Sequence, residues 1–425
     1  MLFSCKPQRM TVPAVTAVLL YAFAAVPMVH AADSPLTLET AVQRGVAQAP
    51  LIVAREADAT AMREEAQRAG RLPDPSLTFG IANFPVTAPG AFSLYSDPMT
   101  MRTVGVMQAI PSRAARTADR ALASAQIDVA EADRVMTEQT VRERAADAWI
   151  TLWGAQQQQI LLGELRDEAA LTVKIAQARL RGGDGSVTDA LATRAEAGSL
   201  DNRLETSAAA IEAAQASLVR WTAAPATTLA DPPDFAHLPT DPNRLDRAID
   251  EQAPMRVWAA RDQAAQAALD KARAAKHPDW TVEASYGHRV PGLSDTVMLQ
   301  FGVSLPLFTR NRQDRGISAK QAQSDAALAA HEDARRAQRE AVAQTVAKWE
   351  GLGRQVERDG ITLLPLARDR AATALAGYRG GGSLQPWLDA RRDEIELRLR
   401  YVEALEARAQ LWASLAYLLP SEVMP

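Results

Sequence analysis

The stretch RLRGGDGSVTDALATR, Arg179 to Arg194, ends one long helical pattern and starts another, and further along GYRGGGSLQPWLDARR, Gly377 to Arg392, does the same. Gly183, Gly185, Ser186, Leu191 and Arg194 align with Gly380, Gly382, Ser383, Leu388 and Arg391 at one constant offset. Glycine supplies the positive φ with which a chain leaves a helix, and a serine just beyond caps the next one. Gly182, Gly183, Gly185 and Ser186, and again Gly380, Gly381, Gly382 and Ser383, therefore read as the tips of two helical hairpins.

The repeat is wider than its turns. APLIVAREADA, from Ala49, is echoed by APMRVWAARDQ, from Ala253; RLPDPSLTFG, from Arg71, by KHPDWTVEAS, from Lys276; Ile110-Pro111 by Leu305-Pro306. A collinear echo of this length marks duplication. The expected plan has a first repeat over 32–222, with strands near 75–86 and 99–110, a long helix near 112–181 and a return helix near 186–222. A proline-rich linker, 223–242, precedes a second repeat over 243–425, with strands near 279–288 and 296–305, a long helix near 308–379 and a return helix near 383–419.

Composition supports long helices. The chain has 425 residues, 47% hydrophobic but only 5% aromatic, and a net charge of -4 that gives no reason to expect nucleic acid. From Ser112 to Leu180 the helical pattern runs without proline for roughly 70 residues, or ~105 Å. Leu122, Val129 and Met136 recur at heptad spacing, as do Leu405, Trp412 and Leu419, which expects coiled-coil packing longer than an ordinary domain is wide.

The strand segments alternate. In WTVEASYGH, Trp280, Val282, Ala284 and Tyr286 share one face while Thr281, Glu283, Ser285 and Gly287 share the other. TVMLQFGVSL sets Val297, Leu299, Phe301, Val303 and Leu305 against Thr296, Gln300, Gly302 and Ser304. PSLTFGIANF repeats the pattern, and TMRTVGVMQAI does so less cleanly. One oily and one wet face over roughly ten residues suits a membrane barrel. A soluble hairpin pair lying on a helix shows the same alternation. Four strands cannot close a barrel alone, so a spanning sheet needs several chains.

At the N-terminus, Lys6 and Arg9 precede VPAVTAVLLYAFAAVPMV, and Val29-His30-Ala31 closes it as a signal peptide over 1–31. Cys5, the only cysteine, lies before the apolar run, so it is not a lipid anchor and leaves no thiolate ligand behind. His237, His277, His288 and His331 are scattered, without zinc-ligand spacing. Met99, Met101 and Met107 begin a strand; thioethers bind cuprous ions, and they also pack cores. GGDGS lacks the Lys-Ser/Thr of a phosphate loop. Arg113 and Arg116, mirrored by Arg310, Arg312 and Arg315, sit just below each strand pair, where they serve either as interfacial anchors or as solvated helix starts. No catalytic constellation emerges, and neither an enzyme nor a cofactor is expected.

With duplicated strand pairs, very long helices and twin glycine turns in place, the chain resembles the TolC-like outer-membrane efflux family over nearly its whole mature length. The resemblance implies a mainly α fold with a membrane β-barrel part: four strands and very long coiled-coil helices per protomer, a homotrimer, a twelve-stranded barrel and an α-helical periplasmic tunnel. It implies the exit duct of a tripartite pump in outer-membrane lipid, with a periplasmic adaptor and an inner-membrane transporter of RND type as partners. RLPDPSLTFGIANFPVT, from Arg71, and DPMTMRTVGVMQAIPSRAAR, from Asp97, resemble the heavy-metal resistance branch, for copper and silver or for cobalt, zinc and cadmium. The same channel serving drugs or type I secretion is the alternative, and a periplasmic adaptor is a remoter one. By resemblance to the family's tip motif, Asp189 and Asp389 line or latch the aperture and Tyr378 and Arg379 sit where latch partners belong, while Pro386 replaces one motif carboxylate.

Overall fold

The computed structural model describes residues 35–87, 89–225 and 228–419. The signal segment 1–31, with Cys5, lies outside the described residues. Each repeat opens with helices, α1 (Leu38–Gln48) and α2 (Pro50–Arg68) in the first and α5 (Pro242–Arg247) and α6 (Ala253–Ala274) in the second. Pro50, Pro242 and Pro254 stand at N1 or N2 of their helices, where no N–H is needed.

Strands β1 (Ser76–Ala82), β2 (Met101–Ile110), β3 (Trp280–His288) and β4 (Thr296–Val303) form one antiparallel sheet in chain order, with β1 and β4 as open edges. The first strand is shorter than the alternation suggested, because Asn83 turns to φ 56 and Pro85 follows it. The register sorts side chains cleanly: Leu77, Val106, Ala284 and Leu299 lie on one transverse row, and Phe79, Val104, Tyr286 and Val297 on the next. This face is bare. Phe79 is 75% exposed and Val297 74% exposed. The opposite face carries Thr78, Gly105, Ser285 and Met298 in one row and Met107, Glu283 and Gln300 in another. Among the described residues no helix covers the oily face, which argues against a soluble hairpin pair lying on its own helix.

Below the sheet runs α3 (Arg113–Gly182), 70 residues long, which is about 105 Å. The return helix α4 (Val187–Thr222) packs along it. The second repeat departs from a single long helix over 308–379. It is α7 (Gln313–Arg358), a π-helical turn (Asp359–Leu363) and α8 (Leu364–Arg379), returned by α9 (Gln385–Ala416). Pro365 explains the break: it has no N–H to give, and its ring collides with the carbonyl four residues back. A π turn takes up that mismatch without ending the helix. A short 3-10 turn (Thr309–Asn311) replaces the expected first residues, and α9 stops before Leu419, which packs instead with Leu245, Ile249, Val342 and Leu415.

The main core lies halfway along the helices. Trp149, Ile150 and Leu152 of α3 are fully buried against α1, Leu218 of α4 and Ala409 and Ala413 of α9. The linker wraps this level as a belt, since its prolines prevent helix and leave carbonyls that side chains can hold. Phe235 packs against both Trp153 and Trp412. Trp349 Nε1 donates to the Phe235 carbonyl at 3.2 Å, Trp412 Nε1 to that of His237 at 2.7 Å, and Trp149 Nε1 to that of Leu36 at 2.8 Å. Leu36 in turn bridges Leu229 of the linker.

Candidate functional site

The two glycine turns come together at the end of the helices away from the sheet. In the first, Gly183 adopts φ 84, and Asp184 N–H donates back to the Arg179 carbonyl at 3.0 Å. In the second, Gly381 adopts φ 97, and Gly382 N–H donates to the Gly377 carbonyl at 3.0 Å. Each is the left-handed exit of a helix closed by a long backward hydrogen bond. The structural equivalents are thus Gly183 and Gly381, one residue out of step with the sequence alignment of Gly183 to Gly380. The same one-residue shift runs on into the caps of the return helices. Ser186 is a true N-cap, its Oγ accepting from Asp189 N–H at 3.0 Å. In the second turn Leu384 occupies the cap position, and Ser383 Oγ accepts only from Gln385 N–H at 3.3 Å.

The link between the hairpins is Arg179, in the last turn of α3. Its Nη1 donates to the Tyr378 carbonyl at 2.6 Å, its Nη2 to the Asp184 carbonyl at 3.0 Å, and its guanidinium carbon lies 4.3 Å from the centre of the Tyr378 ring. Tyr378 is 1% exposed, and its hydroxyl is buried without a partner. It packs with Leu384, Trp387 and Leu388 of the second hairpin and with Ile175 and Ala192 of the first. One guanidinium therefore holds both turns.

Asp189 and Asp389 are half-buried, and among the described residues neither forms an ion pair. Asp189 stands in the first turn of α4, where a carboxylate suits the helix dipole, and Asp389 accepts from Gln385 Nε2 at 2.9 Å. Arg379 does not join Tyr378 in a latch; it lines a cavity of about 480 Å³ between the hairpins, with Arg368, Trp387 and Ile395. Along the same cavity a seam of ion pairs joins α9 to α3. Arg391, 12% exposed, binds Glu168 and, at 2.8 Å, Glu394, while Arg398 binds Glu164 at 2.9 Å.

Arg179 and Arg391 escaped the sequence reading. Arg391 was visible as a repeat marker. Arg179 had one signal, a basic residue in the last turn before a glycine exit, where it can reach free carbonyls.

Higher on the same seam, Glu406 of α9 lies over Gly154 of α3, so close that a Cβ there would stand 2.2 Å from its Oε2. Burial, with Asp147 and Glu403 nearby, pushes the Glu406 carboxyl up to about 7. Burial also raises Asp147, against the pull of Arg144. Among the described residues no three His, Cys, Asp or Glu side chains are placed to hold a metal, and no helix is long and apolar enough to cross a membrane.

An open four-stranded sheet with a bare oily face, carried on two very long helical hairpins, is the fold of the TolC-like outer-membrane channels, in which a barrel continues as a helical tunnel. Residues 245–420 match the model of the Outer membrane efflux protein family. Such proteins are trimeric outer-membrane components of tripartite efflux pumps. Among solved structures, a membrane protein from Pseudomonas aeruginosa shares the fold at TM-score 0.78 and 18% identity, covering 91% of this chain and 92% of that one. The outer membrane protein VceC of Vibrio cholerae does so at TM-score 0.72 and 18% identity, over 90% and 95% of the two chains. CusC, described in terms of folding and transmembrane channel formation, reaches TM-score 0.71 at 15% identity, over 90% and 92%. Among curated proteins none matches the chain in sequence.

Proposed function

We propose that three copies of this chain form a passive exit duct for heavy-metal cations, closed at the helix tips and opened when an adaptor repacks the hairpins. The carrying observation is the sheet: four strands with an oily outer face and two free edges, which only neighbouring copies complete. Cation passage is supported by the inner face, whose described strand residues include one charged side chain, Glu283, and the thioethers Met101, Met107 and Met298. The strand segments near Arg71 and Asp97 support the heavy-metal branch. Asp189 and Asp389, unpaired near the turns, supply negative charge at the aperture. Gly182, Gly183, Gly185 and Ser186, with Gly380, Gly381, Gly382 and Ser383, present the surface an adaptor meets. An inner-membrane transporter supplies the energy.

A deletion strain tests the substrate. It should lose tolerance to at least one of copper, silver, zinc, cobalt and cadmium, and unchanged tolerance to all five removes the metal assignment in favour of drug or protein export. For the aperture, Asp189→Ala with Asp389→Ala should shift the reversal potential in planar bilayers toward weaker cation preference. An unmoved potential takes both residues out of the gate.

A further inference from the structure

The foot of the sheet, where strands give way to long helices, carries a belt of arginines with no acidic partner. Arg113 opens α3, Arg310 and Arg312 flank the turn after β4, and Arg315 lies in the first turn of α7; all four are exposed. Three carboxylates close to the foot are engaged elsewhere. Asp314 is held by Lys276 at 2.5 Å and Thr309 at 2.9 Å, Asp119 by Lys271 at 2.6 Å, and Asp279 accepts from Ser112 N–H at 2.7 Å. Among the described residues none of the four arginines forms an ion pair.

Their positions run against the helix dipole. A helix N-terminus favours anions, yet α3, capped by Ser112, has no acidic residue in its first turn and begins with Arg113, while α7 starts without a side-chain cap and sets Arg315 beside the one carboxylate of its first turn, Asp314. Such an arrangement is poor for an isolated helix and favourable beside a phosphate, which takes amide donors and a guanidinium fork together. The apolar surface leads to the same level. Ile110, Trp280 and Val303 form the last outward row of the sheet, and just past β4 come the exposed apolar residues Leu305, Leu307 and Phe308. Leu307 is 73% exposed, Phe308 87% and Trp280 51%. An aromatic residue at the end of a lipid-facing strip belongs at headgroup depth, and charges just beyond it lie among the phosphates.

We propose that this foot docks anionic phospholipid of the periplasmic leaflet: Trp280 and Phe308 sit against the upper acyl chains while Arg113, Arg310 and Arg312 hold phosphodiester oxygens. The interaction rests on the barrel reading and adds a lipid preference to it. Because β2 and β4 are two strand spacings apart, about 10 Å, Arg113 and the Arg310–Arg312 turn reach different headgroups, so each trimer recruits a ring of anionic lipid.

Trp280 reports directly. The other seven of the eight tryptophans lie in the helices, away from the bilayer, whereas Trp280 shares a surface hollow with Arg113. The full chain is reconstituted in phosphatidylcholine vesicles with and without phosphatidylglycerol, brominating one lipid at a time. The phosphatidylglycerol should associate with Trp280 roughly fivefold more strongly than phosphatidylcholine at low salt, the ratio expected for about 1 kcal/mol per headgroup-level arginine. The preference should shrink as salt rises. The variant Arg113→Gln/Arg310→Gln/Arg312→Gln should bring the ratio to about one while still running as a heat-modifiable trimer.

Equal quenching by the two lipids in the wild-type protein, or a preference that survives in the variant, overturns the belt and leaves the channel untouched. No quenching of Trp280 by either lipid overturns the barrel reading itself. If the variant falls to monomers in lipid-free detergent, the arginines are contacts between copies and the lipid assignment is wrong. Should the variant fail to fold at all, the salt dependence of the wild-type ratio decides, since a ratio that ignores salt is not electrostatic.

Discussion

Replacing Arg179 should loosen the tip in a way that separates its two kinds of contact. The bond from Nη2 to Asp184 stays within the first hairpin and does not hold the second. Two interactions cross between hairpins: the Nη1 bond to the Tyr378 carbonyl at 2.6 Å and the stacking on its ring at 4.3 Å. A charged donor on a carbonyl is worth about 1.5 kcal/mol net, and a half-exposed cation–π contact about 1 kcal/mol. Together they favour the closed arrangement by about 2.5 kcal/mol per protomer, or roughly 60-fold in a local open–closed equilibrium. Arg179→Ala should therefore turn a mostly closed channel into one with frequent long openings in planar bilayers. Arg179→Lys should fall between, because an ammonium keeps the charge over the ring but not the fork.

Tyr378 gives the control. Its hydroxyl has no partner, so Tyr378→Phe should leave conductance unchanged, while Tyr378→Ala should open the channel through loss of the ring and of its packing on Leu384 and Trp387. In the double variant Arg179→Ala/Tyr378→Ala the ring contact can be lost only once, so the effects should fall short of additive by about 1 kcal/mol. Wild-type conductance in Arg179→Ala, or equal leakiness of Tyr378→Phe and Tyr378→Ala, refutes the latch.

Other expectations concern stability. Because the Glu406 carboxyl is raised from 4.5 to about 7, its charge opposes folding fully above about pH 7 and not at all below about 4.5, so thermal stability should rise as pH falls through that window. After discounting for solvent at this half-buried site, Glu406→Gln should gain on the order of 1 kcal/mol at pH 8 and nothing at pH 4; a melting curve with equal gain at both values contradicts this. Gly185→Ala should destabilise the first tip more than Gly183→Ala. The former puts a Cβ 2.8 Å from the Leu180 amide nitrogen, whereas the latter meets only positive φ, about 1 kcal/mol. Comparable melting points for the two sink that reasoning.

The sequence was most legible where local chemistry and packing agree. Alternation in 280–288 and 296–303 reads directly as one oily and one wet face, since the period of two is a property of the strand itself. The unbroken α3 was equally plain. Pro365 was visible, but a proline seen in one dimension ends a helix as readily as it bulges one, and only the packing of Gly360 beside Tyr401 shows the continuing path. At the tip, Asp189 and Asp389 are candidates through resemblance alone, while the residue that ties the hairpins had no such pointer. Arg179 acts through carbonyls of another hairpin, and a contact between positions 179 and 378 has no local signature.

The two long helices of the repeat are buried very differently. Helix α3 buries residues along its length, from Ala118 through Trp149 and Leu165 to Ala176. Helix α7, 46 residues long, buries only Ser324, Val342 and Val356 within the chain. A helix of that length is not held by propensity alone, and most helical stability comes from a packed face. The exposed faces of α7 are rich in alanine, which lets helices approach closely but gives little to bury alone. In the proposed assembly, neighbouring copies cover α7 along the tunnel just as they pair β1 and β4 in the barrel. The unpaired strand edges and the uncovered helix are independent features of the chain. Both call for neighbours, and closing the sheet's two free edges into a ring also places a neighbour beside α7.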